Sequence, residues 1–251
     1  MNTQALRWIV IGGLLVSNQL AAEPLEDLQL RLASLHNDQP IRIQVDVEAK
    51  HRGTAPLHLN STKEKGRAIV TYGPQGVESI KERPLETSAT WGSLWRSKKG
   101  EETTEPLISW EEARDLIDPA GMLVSLLDEV TLVSVETATW QGKPARLLVL
   151  RPLQLAANRE GEKTSEGGGP APLTTGARLW LDESGLPLAL ERSLELRLPA
   201  AVTATVQQTF TFQQVDGRLL VAREQETNSG TALAVLRSRD TKDMKVTALR
   251  K

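Results

Sequence analysis

The sequence predicts an α+β fold made mainly of antiparallel strands. Three observations carry that expectation: runs of alternating apolar and polar residues, turn dipeptides between those runs, and helical apolar spacing confined to the start and middle of the chain.

The first twenty-two residues read as an address. Met1 to Arg7 holds one cation and no acid, and Trp8-Ile9-Val10-Ile11-Gly12-Gly13-Leu14-Leu15-Val16 follows as an apolar run. That run is shorter than the roughly 20 residues a membrane span needs. Residues 1–22 are therefore expected to be a signal peptide cut after Ala22, with export to the periplasm. Leu20 is larger than the third residue before such a site usually is. An uncleaved signal anchoring the protein in the inner membrane is the alternative, and a buried core helix is a third reading.

The chain has no cysteine. That rules out disulfides, thiolate nucleophiles, thiolate metal sites and a lipid-modified cysteine behind the signal. Lys+Arg 30 against Asp+Glu 32 leaves a net charge of -2, so no basic field recruits nucleic acid or an anionic membrane surface. Residues 23–251 suffice for a single β-rich domain, since such folds run to roughly 250 residues as one unit.

Leu25, Leu28, Leu32 and Leu35 fall at helical spacing after Pro24, with Glu26 and Asp27 where the helix dipole favours acids. Asn37-Asp38-Gln39-Pro40 ends that helix. Ile41, Ile43, Val45, Val47 and Ala49 then alternate with polar residues, a strand with one wet face. Arg67–Tyr72 and Val77–Glu82 are expected to pair around Gly73-Pro74-Gln75-Gly76. Arg83–Glu105, with Trp91 and Trp95 among charged residues, reads as a long flap-like loop or as a short helix showing both indoles to the core.

Helical signals return at Ser109, whose spacing to Glu112 matches a capping box. Asp118-Pro119 opens a second short helix carrying Met122, Leu123, Leu126 and Leu127. Strands follow: Thr131–Trp140 and Ala145–Pro152 around Gln141-Gly142-Lys143-Pro144, then a flexible loop at 156–176 containing Gly167-Gly168-Gly169. Arg178–Leu181 and Leu186–Leu198 flank Asp182-Glu183-Ser184-Gly185. Val202–Val215 and Arg218–Thr227 flank Asp216-Gly217, a strong hairpin dipeptide. A strand at Thr231–Arg237 and a tail at Met244–Leu249 complete the sheet.

The long hairpin carries the candidate site. The even positions from Leu186 to Leu198 are leucine except Arg192, and those from Val202 to Phe212 are apolar except Gln208. A turn centred on Ala200 pairs residues whose numbers sum to 400, setting Arg192 opposite Gln208, Leu190 opposite Phe210 and Leu194 opposite Val206. A guanidinium in an apolar interior costs several kcal/mol or more unless it finds water, a carboxylate or a ligand. The face is thus expected to line an open concave surface that holds a greasy ligand, with Arg192 and Gln208 as polar handle and Leu190, Leu194, Val206 and Phe210 as walls. In the competing reading Arg192 is satisfied by a local hydrogen bond or reaches the rim.

No catalytic pattern emerges, and the protein is read as a non-enzyme without cofactors. His36, His51 and His58 lack zinc-protease spacing, and no glycine-flanked serine, phosphate loop or calcium loop occurs. Asp182-Glu183 and Glu111-Glu112 have ordinary roles in a turn and at a helix start. Sparse aromatics make no stacking platform.

The order of signal, helix, long strands, two helices and more strands resembles the periplasmic outer-membrane lipoprotein carriers (LolA-like) and related lipoprotein-binding folds. Leu179-Trp180-Leu181-Asp182-Glu183-Ser184-Gly185-Leu186-Pro187-Leu188 looks like their strand, acidic turn and Gly-Leu-Pro hairpin. The resemblance implies a curved, half-open barrel whose concave face is covered by helices and accepts acyl chains. No ligand residue transfers position by position, and the glycine-rich segment departs from a compact carrier. The expected function is a periplasmic binding protein for lipid, lipoprotein or another hydrophobic ligand, with no nucleic-acid or metal partner. The alternative is a structural or sensory envelope module that binds a protein partner.

Overall fold

The computed structural model of the chain describes residues 25–55, 58–92, 106–153, 173–198, 202–232 and 236–249. The expected signal peptide, Trp95 and most of the glycine-rich segment lie outside them.

Among the described residues, three helices, α1 (residues 25–35), α2 (Trp110–Ile117) and α3 (Pro119–Asp128), accompany ten strands. The strands are β1 Ile41–Ala55, β2 His58–Gly73, β3 Gly76–Gly92, β4 Val130–Trp140, β5 Lys143–Pro152, β6 Leu173–Leu181, β7 Pro187–Leu198, β8 Val202–Val215, β9 Arg218–Ala232 and β10 Leu236–Leu249. They form one antiparallel sheet ordered β3-β2-β1-β10-β9-β8-β7-β6-β5-β4. The sheet is mostly meander, so neighbours in sequence are neighbours in space. β10 pairs with β1 across nearly the whole described sequence. The two outer strands, β3 and β4, do not pair with each other, so the sheet stays open.

The turns follow from local chemistry. Gln141-Gly142 and Asp216-Gly217 both take positive φ, 50° and 80° in the first and 51° and 80° in the second. That is the type I′ geometry whose twist matches two antiparallel strands.

Three expectations change. Arg83–Gly92 is strand, not loop, and extends β3 along β2. Pro84 hides this in the sequence, but β3 is an edge strand, where a missing N–H costs no ladder bond. Pro84 also sits at the register shift between Lys65 and Gly66. The glycine-rich loop yields to β6 at Leu173. At the end of the chain, residues 231–232 complete β9 and the last strand is continuous from Leu236 to Leu249. Asn228-Ser229-Gly230, left between the two expected strands, is held extended between β8 and β10.

One face of the sheet and the helices enclose the core. Ile43, Val45 and Val47 of β1, Val70 of β2, Leu148 and Leu150 of β5, Leu179 of β6, Leu190, Phe210 and Met244 all join Leu32, Leu116, Ile117 and Leu123 from the helices. α2 packs on β9 and reaches β3, while α3 packs on β9 and reaches β4. The helix pair therefore spans from the middle of the sheet toward both edges. A smaller cluster of Ala145, Trp180 and Ala189, with the Trp140 ring centroid 4.8 Å from that of Trp180 and the planes tilted by 45°, sits apart from it. Leu188 packs there, not on the leucine face the alternation assigned it. The register shift between Trp180 and Leu181, where Pro187 pairs, breaks the parity at that point.

Buried Arg218 holds the α1–β1 connection. It donates to the backbone carbonyls of Asn37 and Gln39, and its guanidinium lies 5.4 Å from the Tyr72 ring centroid. His36, at the end of α1, has its two ring nitrogens 2.9 Å from Asp38 and 3.0 Å from Asp118. The Asp118 hydrogen bond first, with Asp38 adding, raises its pKa. Charged hydrogen bonds contribute about 1.5–3 kcal/mol each. Arg218→Met is expected to lower stability by about 2 kcal/mol or more in urea unfolding, and an unchanged midpoint would show the clamp to be idle.

Candidate functional site

Sheet register brings one polar row across the covered face. Ala177 of β6 stands opposite Arg192 of β7, Arg192 opposite Gln208 of β8, Gln208 opposite Glu226 of β9, and Glu226 opposite Lys242 of β10. The adjacent row is Leu179, Leu190, Phe210, Glu224, Met244 and Val47, apolar except for the glutamate. Beyond the polar row the same face continues as Leu194, Val206 and Asn228.

α2 lies over this row. Leu107 rests against Gly66, where a Cβ would stand 2.2 Å from its Cδ1, and the Ile108 N–H donates to Glu82 at 3.0 Å. These contacts deliver the chain to the helix start. There Ser109 and Glu112 close the capping box, at 3.1 Å and 2.7 Å. Ala113, Leu116 and Ile117 face the core. Glu112 uses its second oxygen to accept from Lys242 of β10, so one carboxylate caps the helix and ties it to the sheet. Burial alone would raise the Glu112 pKa. The Lys242 hydrogen bond and the Ser109 backbone outweigh it and hold it below the ordinary value.

Arg192 and Gln208 do meet across the hairpin. The Arg192 guanidinium lies over the Phe210 ring, 5.0 Å from its centroid, a cation–π contact. Its Nε is buried with no hydrogen-bond partner among the described residues. Burial lowers its pKa, opposed by the charges of Glu224, Asp115 and Glu226. Gln208 donates to Glu226 at 2.9 Å, and Asn228 donates to the other Glu226 oxygen.

The walls divide. Leu190 and Phe210 are fully packed core, 0% and 2% exposed, and offer a ligand no surface without movement of the helices. Leu194 and Val206, the next pair on this face beyond Arg192 and Gln208, are half-buried. The turn that joins β7 to β8 lies outside the described residues.

Sequence reading missed Glu224, which is 4% exposed. Burial, with Glu112 and Glu226 adding repulsion, pushes its pKa up to about 7 despite Lys242 and Arg192. Among the described residues it makes no hydrogen bond or ion pair. Glu226, Lys242, Glu112 and Asp115 were missed too, since none is unusual in its own segment. Beside the row, a cleft of about 410 Å³ opens between β7 and the α2–α3 pair, with Arg192 as its sheet residue and Asp115, Met122, Leu126 and Glu129 among its helical ones.

No family model and no curated protein matches the chain. Among solved structures it is similar to a DUF1329 family protein from Desulfovibrio piger, at 13% identity over 90% of this chain and 91% of that one, with a TM-score of 0.33. A likeness that loose transfers neither a site nor an activity.

Proposed function

We propose that the protein is a binding protein for a lipid, an acylated protein or another hydrophobic ligand in the cell envelope, reached through the signal peptide. One observation carries the reading. The face that is fully packed at Leu190 and Phe210 becomes only half-buried at Leu194, Leu196, Ala204 and Val206, immediately past Arg192 and Gln208. An apolar strip ending in a polar row fits a molecule with a chain and a head. The likeness of the chain order to the lipoprotein carriers points the same way, and the cleft volume lies in the roughly 300–1,000 Å³ range of small-molecule sites.

Native mass spectrometry of protein purified from its envelope without detergent is expected to show copurifying acyl species. Leu194→Glu, at a half-buried position, should fold and lose them, with affinity for a dodecyl-chain probe falling by about tenfold or more. A bare polypeptide mass, with no dodecyl binding by the wild type, overturns the reading. A stable stoichiometric protein complex in its place favours the module that docks a partner.

A further inference from the structure

Away from the polar row, two arginines converge on the turn between β6 and β7. A Cβ built at Gly185 would stand 3.3 Å from Nη2 of Arg146 and 3.6 Å from Nη1 of Arg31. Each arginine is delivered by an anchored element. Arg31 lies on the exposed side of α1, whose Leu28, Leu32 and Leu35 are buried and whose Gln29 donates to Asp128 of α3 at 2.8 Å. Arg146 of β5 stands opposite Leu181, the last residue of β6. The turn beneath them is closed on itself. Asp182 accepts from the Leu186 N–H at 2.8 Å and the Ser184 hydroxyl at 2.7 Å, and the Gly185 N–H donates to the Asp182 carbonyl at 3.0 Å.

Two like charges drawn to one glycine repel each other unless an anion stands between them. The chain supplies none. Among the described residues neither guanidinium makes an ion pair or a hydrogen bond, whereas Arg67, Arg114 and Arg223 each meet a carboxylate within 3.2 Å. The Asp182 carboxylate is held by the turn, and Asp27 of α1 and Glu183 of the turn pair with neither arginine. Next to Arg31 a groove of about 630 Å³ is lined by Leu30, Ser34, Leu35 and Leu186. Leu30 is 73% exposed. The net charge of -2 leaves the chain without a broad cationic field, so any anion attracted here is held locally.

We propose that Arg31 and Arg146 form a site for a phosphate ester, its phosphoryl oxygens accepting from both guanidiniums and its organic part lying in the groove along Leu30 and Leu186. The two forks come from different elements, a helix and a strand. A carboxylate has two oxygens in one plane, which a single guanidinium fills, whereas the tetrahedral oxygens of a phosphate accept from two. A phosphate monoester also brings about two negative charges to the two positive ones. Leu194 lies at the far end of β7 from this turn, so the site stands independently of the hydrophobic-ligand reading.

The test follows the arginine Nε–H resonances of the full mature chain during titration with glycerol phosphate, and with acetate at matched ionic strength. Those of Arg31 and Arg146 are expected to move together with one Kd, and acetate to bind about tenfold more weakly. Both arginines are exposed, so Arg31→Gln and Arg146→Gln should fold, and each should weaken glycerol phosphate by about tenfold. Arg151→Gln, at another exposed position of β5, should not. Sedimentation with phosphatidylglycerol vesicles, set against phosphatidylcholine ones, separates the sources. Vesicle binding that falls in the same two variants assigns the phosphate to a lipid head, and glycerol phosphate binding without it assigns a soluble ester. Acetate binding as tightly as glycerol phosphate, or all arginine resonances moving alike, overturns the site. So does a chain that ignores glycerol phosphate and whose vesicle binding is the same in the variants.

Discussion

Glu224→Gln is expected to stabilise the protein at pH 8 by about 3 kcal/mol and to leave it unchanged below about pH 4.5. Glu224 is 4% exposed, and its pKa is pushed from 4.5 to about 7, first by burial and then by Glu112 and Glu226. A folded pKa above the unfolded one means the folded state holds the proton more tightly. Stability is then fully present below the unfolded value near 4.5, falls as pH rises toward 7, and is flat above it. Gln keeps the side chain's shape and cannot ionise, so it escapes the loss. Urea unfolding of both proteins from pH 4 to pH 8 measures this directly. Curves that stay parallel across that window would mean Glu224 is ionised throughout and paired in solution.

The second large effect separates core from candidate site. Leu190→Ala is expected to cost about 3 kcal/mol, within the range of roughly 2–5 for a buried leucine whose cavity cannot collapse. Leu190 is 0% exposed and sits between Leu179 and Phe210 in the row under the helices. Leu194→Ala, four residues on along the same face, is half-buried and should cost less than about 1 kcal/mol. It should weaken a dodecyl probe more than it weakens the fold. Equal losses of stability at the two positions would place Leu194 in the core and remove the apolar strip.

Much of the architecture was legible because it rests on local chemistry. The alternation in Ile41–Lys50, the Asp216-Gly217 turn, the capping box at Ser109 and the Asp118-Pro119 helix start each depend on a few adjacent residues. Errors arose where position in the sheet overrides local preference. Pro84 is tolerated because β3 has no outer neighbour, and Asn228-Ser229-Gly230 stays extended because both sides are paired. Which strand closes onto β1 was not legible at all. Nothing within β10 marks it for β1, and that pairing joins the two ends of the chain.

The candidate site divides in the same way. By itself the sequence determined that Arg192 faces Gln208, because a short connection between regular strands fixes the register by arithmetic. It could not determine what stands next to Gln208. Counting from the Asp216-Gly217 turn, Val215 pairs with Arg218 and Phe212 with Val221, a parity that would bring Arg223 and Gln225 inward. Between Thr211 and Phe212 the register shifts by one residue, with Ala222 left over on β9. A one-residue slip turns every later side chain to the other face. It brings Glu224 and Glu226 in beside Arg192 and carries Arg223 away to pair with Asp243 at 2.6 Å. The bulge and the helix laid across it, decided by packing of distant segments, turn a lone arginine into a carboxylate-rich site.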